Sequence, residues 1–134
     1  MLDKLRKRLR SEKGFTLIEL LVVMIILAIL TAIAIPSYLS FKDRANKSAA
    51  QADVRSIVPD IEAFYSDHGT YSLMNVGWLK TAYDQAINTA TGGNLPTYTL
   101  NNLSTTGYCV QVTVNGKTAA KAGPSAAIVK DTTC

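Results

Sequence analysis

His68 is the only histidine of this chain, and Cys109 and Cys134 are its only cysteines. Catalysis by a thiol–imidazole or hydroxyl–imidazole pair therefore has almost no material to work with. The cysteines lack the C-x-x-C spacing of a redox motif and the histidine partners of a zinc site. No phosphate-cradling glycine loop, paired catalytic carboxylates or metal-ligand cluster is legible. The sequence reads as a non-enzyme, with no cofactor and no metal. The one carboxylate in an unusual place is Glu19. It sits in Phe15–Ile35, a run of 21 residues interrupted only by Thr16, Glu19 and Thr31. A lone carboxylate at the centre of a bilayer costs about 2.5–3.5 kcal/mol on insertion scales. Near a helix start that cost falls, because the first turn offers unpaired N–H groups and the positive end of the dipole.

The element that must carry Glu19 follows from the run itself. As a helix, Phe15–Ile35 spans about 31 Å, close to the roughly 30 Å hydrocarbon core of a bilayer. In lipid the backbone of such a segment must be helical to satisfy its own polar groups. Residues 1–14 hold six basic and two acidic side chains, which accounts for the whole net charge of +4. That basic flank keeps the N-terminus cytoplasmic. Confined to one terminal segment, it also gives no footprint for nucleic acid. The full 134 residues suit one domain.

Three readings of the segment compete. A cleavable secretory signal could use Ala32-Ile33-Ala34 as its cleavage site, but its apolar stretch would be long and would contain Glu19. A plain membrane anchor explains the length and the basic flank and leaves Glu19 as a cost. The third reading rests on Lys13-Gly14-Phe15-Thr16-Leu17-Ile18-Glu19. This stretch resembles the processing signal of type IV prepilins and type II pseudopilins. The resemblance is unbroken from Lys13 to Pro36 and looser to about Tyr71.

The resemblance implies a basic leader, 1–14, cut between Gly14 and Phe15 by a prepilin peptidase that also N-methylates Phe15. It implies that Glu19 serves assembly by pairing with the Phe15 amine of its own or a neighbouring subunit, and that Pro36 bends the helix. Glycine at position 14 suits a scissile bond that must stay extended. Aromatic residues along the helix also resemble those of short pilins proposed to carry electrons, although helix packing explains them equally.

Beyond Pro36 a helical period resumes through Tyr38, Phe41, Ala45, Ala49, Ala52, Ile57, Ile61, Phe64 and Tyr65. Lys42, Asp43, Arg44, Lys47, Asp53, Arg55, Asp60 and Glu62 form the opposite, polar face. The helix is therefore expected to run from Phe15 to about Asp67, roughly 80 Å. Pro59 predicts a second kink, a 3₁₀ turn or the start of a new segment. His68-Gly69 reads as the C-terminal stop, with His68 solvated. A short amphipathic helix is expected over Trp78–Ile87, ended by Thr91-Gly92-Gly93-Asn94. Strands are expected at Thr97–Leu100, Tyr108–Val114, Lys117–Lys121 and Ala126–Lys130, with Asn115-Gly116 as a hairpin turn. Two cysteines in a small domain beyond a membrane should pair. A Cys109–Cys134 bond would close a loop of 26 residues, worth about 3.5 kcal/mol by chain entropy. A single C-terminal disulfide also agrees with the pilin resemblance.

The expected class is α+β: a long N-terminal helix packed against a small antiparallel sheet. The chain divides into a cleaved leader (1–14), an apolar membrane and assembly helix (15–35), an amphipathic continuation (36–68) and a disulfide-bonded α/β region (69–134). The resemblance implies a pilin that polymerises into a type IV pilus for adhesion, motility, DNA uptake or electron transfer. Its partners would be further copies of itself, the prepilin peptidase/methyltransferase, membrane lipid and the inner-membrane assembly machinery. It would reside in the bacterial inner membrane as a single-pass protein, then in an extracellular pilus. The alternatives are a major pseudopilin of type II secretion or, from another class, a membrane-anchored or secreted binding module.

Overall fold

A computed structural model describes residues 14–89 and 95–134. Residues 1–13 of the expected leader and the Thr91-Gly92-Gly93-Asn94 stop lie outside them. The elements are helix α1 (Leu17–His68), helix α2 (Val76–Ala82) and strands β1 (Thr97–Asn101), β2 (Cys109–Val114), β3 (Lys117–Ala122) and β4 (Val129–Lys130). This is the expected α+β class. The chain divides into two compact units, Met1–Leu39 and Ser40–Cys134.

α1 is a single α-helix of 52 residues that passes through both Pro36 and Pro59. Neither the 3₁₀ turn nor the new segment expected at Pro59 occurs. Each proline removes one i→i−4 hydrogen bond. At Pro59 that loss is offset by Ile57 and Ile61, which are buried on either side of it while the proline ring stays exposed. The helix ends where Gly69 adopts φ +68° and its N–H donates to the Tyr65 carbonyl at 2.7 Å. This left-handed stop is what glycine supplies cheaply.

In Ser40–Cys134 the buried stripe of α1 is Ala50, Val54, Ile57, Ile61 and Phe64. The 4-3-4-3 spacing is one helical face. Ala45, Ala49 and Ala52, expected on that face, are exposed, as are Tyr38 and Phe41. Alanine is nearly neutral in hydrophobic periodicity, so the three could not fix the face that Val54 and the isoleucines set. Against the stripe packs a four-stranded antiparallel meander in the order β1-β2-β3-β4. Val110, Val112 and Val114 alternate along β2 toward the core. Asn115 (φ 48°) and Gly116 (φ 76°) turn the β2–β3 hairpin, both in the left-handed region that a type I′ turn needs. β4 keeps only two residues of the strand expected over Ala126–Lys130.

α2 is shorter than expected and begins two residues earlier. Asn75 caps it by accepting the Trp78 N–H at 2.9 Å. It stops before Asp84, whose carboxylate takes the Ala86 N–H at 2.8 Å and turns the chain away. Cys109 and Cys134 form a disulfide, and the Cys134 N–H donates to the Gln111 side chain at 3.1 Å. The last residues thus cross back over β2.

The polar face of α1 is not simply solvated. Asp43 pairs with Lys117 at 2.8 Å and Lys47 with Asp131 at 2.6 Å. The Lys117 hydrogen bond holds the Asp43 carboxyl below its usual range. Glu62 departs furthest from the expectation. Its two oxygens accept the Tyr71 hydroxyl at 2.9 Å and the Tyr108 hydroxyl at 3.0 Å. Both tyrosines are buried and their rings lie 4.9 Å apart. One helix carboxylate therefore ties the loop after α1 to the start of β2.

Glu62→Ala should leave two phenols without an acceptor. An unsatisfied buried polar group costs about 1–3 kcal/mol, but Glu62 is half-buried and water can reach it, so a loss of about 2 kcal/mol is expected. Denaturant unfolding followed by near-UV dichroism of the full chain in detergent measures it; Glu62→Gln, which keeps acceptor capacity, should lose less. The same site sets a pH limit. Burial and the Glu62 bond push the Tyr71 phenol up to about 12 and raise Tyr108 as well. An unfolded tyrosine titrates near 10. Above that pH the folded state holds protons the unfolded chain has lost, so stability falls as pH rises. It should be constant with respect to these groups below about pH 10 and decline from there toward 12. A stability flat through that window would contradict the Glu62 clamp.

Candidate processing and assembly segment

Gly14, Phe15 and Thr16 precede α1 in non-helical conformation, and Phe15 is 80% exposed. A side chain at Gly14 would meet nothing within 4 Å. Packing among the described residues is thus not what requires glycine there. The helix starts immediately after Thr16, and two reciprocal hydrogen bonds define the start. The Glu19 N–H donates to Thr16 Oγ1 at 3.2 Å, and the Thr16 N–H donates to a Glu19 carboxylate oxygen at 3.4 Å. The Thr16 carbonyl accepts from the Glu19 and Leu20 N–H groups at 3.1 and 3.3 Å. This is a capping box, which satisfies donors that the first helical turn would otherwise leave bare. The sequence expectation gave Glu19 a dipole and an amine partner and missed this arrangement. Its signal was Thr16-x-x-Glu19 directly before an apolar run.

The geometry brings Thr16 and Glu19 together, while Phe15 is mostly exposed. From Leu17 onward the first unit presents apolar side chains all round. Leu20, Val22, Ile25, Ile29 and Ile33 are between 48% and 71% exposed. By length and composition this helix can cross a membrane. Thr31 is internally satisfied, its hydroxyl donating to the Leu27 and Ala28 carbonyls at 2.8 and 3.0 Å. Such back-bonding is how a threonine is tolerated in an apolar helix. Glu19 is then the single acidic or basic side chain between Phe15 and Ser40. Pro36, the other residue singled out for assembly, lies within the continuous α1. The cysteines belong to the other unit.

His68 is exposed, as expected, but not merely solvated. Its ring stacks on Phe64 at 4.2 Å and meets Trp78 edge-on at 5.6 Å. Among the described residues there is no group of three histidine, cysteine, aspartate or glutamate side chains that could hold a metal ion.

Comparison with known proteins agrees with the segment. Residues 9–35 match the family described as "Prokaryotic N-terminal methylation motif". The chain is 40% identical over 61 residues to the type IV major pilin protein PilA of Myxococcus xanthus, covering 46% of this chain and 28% of that protein. It is 42% identical over 64 residues to the type IV wide pilus major component PilA4 of Thermus thermophilus, covering 48% and 49% respectively. It is 37% identical over 62 residues to the type II secretion system core protein G of Pseudomonas aeruginosa, covering 46% and 44%. The matches thus span half or less of these relatives' length. The N-terminal part of the chain, with its methylation motif and exposed apolar helix, is thus similar to type IV major pilins and to core protein G of type II secretion.

Proposed function

We propose that this chain is a structural subunit that polymerises through its N-terminal helix into a type IV pilus. The observation that carries the reading is an apolar helix exposed on every side, with one carboxylate in its first turn. Lipid covers such a surface in a membrane, and the equivalent helices of other copies cover it in a filament. In this reading a prepilin peptidase cuts the Gly14–Phe15 bond, which lies outside the helix, and Phe15 is N-methylated. The new amine then pairs with Glu19, which exchanges its weak 3.4 Å bond to the Thr16 N–H for a charged partner. Before assembly the protein resides in the inner membrane with its second unit outside; after assembly it is extracellular. A major pseudopilin of type II secretion is the second reading, favoured by the similarity to core protein G.

Mass analysis of the mature protein tests the processing step. The expected N-terminus is methylated Phe15. A chain beginning at Ile35 would establish the signal-peptide reading instead, and a chain retaining residues 1–14 would establish a plain anchor.

A further inference from the structure

A cavity of about 420 Å³ lies between α2 and the start of β1. Its size falls in the range of small-ligand pockets, about 300–1,000 Å³. Lys80 and Thr81 from α2, Thr89 from the loop that follows, and Thr97 and Tyr98 from β1 line it, with Val76 adding an apolar patch. Among the described residues no carboxylate lines it. Lys80 is half-buried as a residue, and its ammonium donates a long, exposed hydrogen bond of 3.5 Å to the Thr89 hydroxyl; among the described residues it is in no salt bridge. This sets it apart from three other lysines of the second unit. Lys117 and Lys47 are paired with Asp43 and Asp131, and Lys121 is capped by the Pro124 and Ala126 carbonyls at 2.8 and 2.6 Å. An ammonium with no carboxylate beside it on the cavity wall favours an anion there.

We propose that this cavity binds an acidic monosaccharide, free or as the terminal unit of an acidic polysaccharide. The carboxylate of the sugar would meet Lys80. The Thr89 and Thr97 hydroxyls can each donate to and accept from ring hydroxyls. The Tyr98 ring and Val76 suit the apolar face of the pyranose. Thr81 already donates to the Gly77 and Trp78 carbonyls at 3.1 and 3.2 Å, so its oxygen is left to accept. Burial and the charges of Asp53 and Asp84 raise the Tyr98 phenol and keep it neutral. The residues that line this cavity all belong to the second unit.

The test is an amide-shift titration of the full chain in detergent micelles with glucuronate, glucose and a glucuronate-ended oligosaccharide. Glucuronate should give saturable shifts at Thr81, Thr89 and Thr97, with glucose at least about tenfold weaker. Lys80→Gln should weaken glucuronate about tenfold and leave glucose unchanged, since hydrogen bonds to charged groups are the stronger kind. Tighter binding of the oligosaccharide would identify the polysaccharide as the source, and equal binding the free sugar. Equal responses to glucose and glucuronate, the absence of saturable shifts, or a Lys80→Gln variant that binds like the wild type would each overturn the proposal.

Discussion

Glu19→Ala should abolish filaments while the protein still inserts into the membrane and is still cut after Gly14. Lipid gains from losing a carboxylate, so a simple anchor would be retained as well or better and show no other defect. In a filament core without water, the Phe15 amine loses its partner. Leaving one charge of a buried pair uncompensated costs about 3–5 kcal/mol, and every subunit bears it. The capping box supplies a sharper control. Glu19→Gln keeps a side chain able to cap Thr16 but removes the charge, so it should fail as Glu19→Ala does. Glu19→Asp keeps the charge with shorter reach and should be intermediate. Filament yield by shearing, beside the amount of processed subunit left in the membrane, reads all three. Normal filaments from Glu19→Gln would mean that the cap, and not the charge, is what Glu19 contributes.

The second large effect concerns the second unit. Cys134→Ala should lower its unfolding free energy by about 3.5 kcal/mol, the chain-entropy value for the loop closed by Cys109 and Cys134. The segment after β4 is otherwise tied down by the Lys47–Asp131 pair, the Asp131 N–H bond to the Thr118 carbonyl at 2.9 Å and the Gln111 contact, and exposed ion pairs contribute little. Denaturant titration of the full chain with and without reductant measures the loss. Reductant that shifts the wild type and not the variant would match; equal stability of the two in oxidising buffer would contradict the value.

Much of this arrangement was legible in the residues because strong local rules agreed. The apolar run, Gly69 after His68, the Asn115-Gly116 turn and the alternation along β2 each have one low-energy reading. The helix face was not fully legible, because Ala45, Ala49 and Ala52 carry little hydrophobic weight and only packing against the sheet decided for Ala50 and Val54. Pro59 misled for a related reason: its local cost is real, but burial of Ile57 and Ile61 holds the helix together across it. Glu62 was invisible as an anchor, since its partners Tyr71 and Tyr108 lie 9 and 46 residues away. At the candidate site the opposite held. Thr16-x-x-Glu19 states its capping box outright, whereas an amine partner for Glu19 needs a cut after Gly14 that the pattern of the helix itself does not encode.

Electron microscopy of sheared surface filaments, with mass analysis of their subunit, tests polymerisation through the apolar helix most directly. The expected result is a helical filament built from this chain beginning at Phe15, with residues 15–35 bundled along the axis and Glu19 within reach of a Phe15 amine. Filaments that lack this chain, or a map with residues 15–35 on the outer surface, would contradict it.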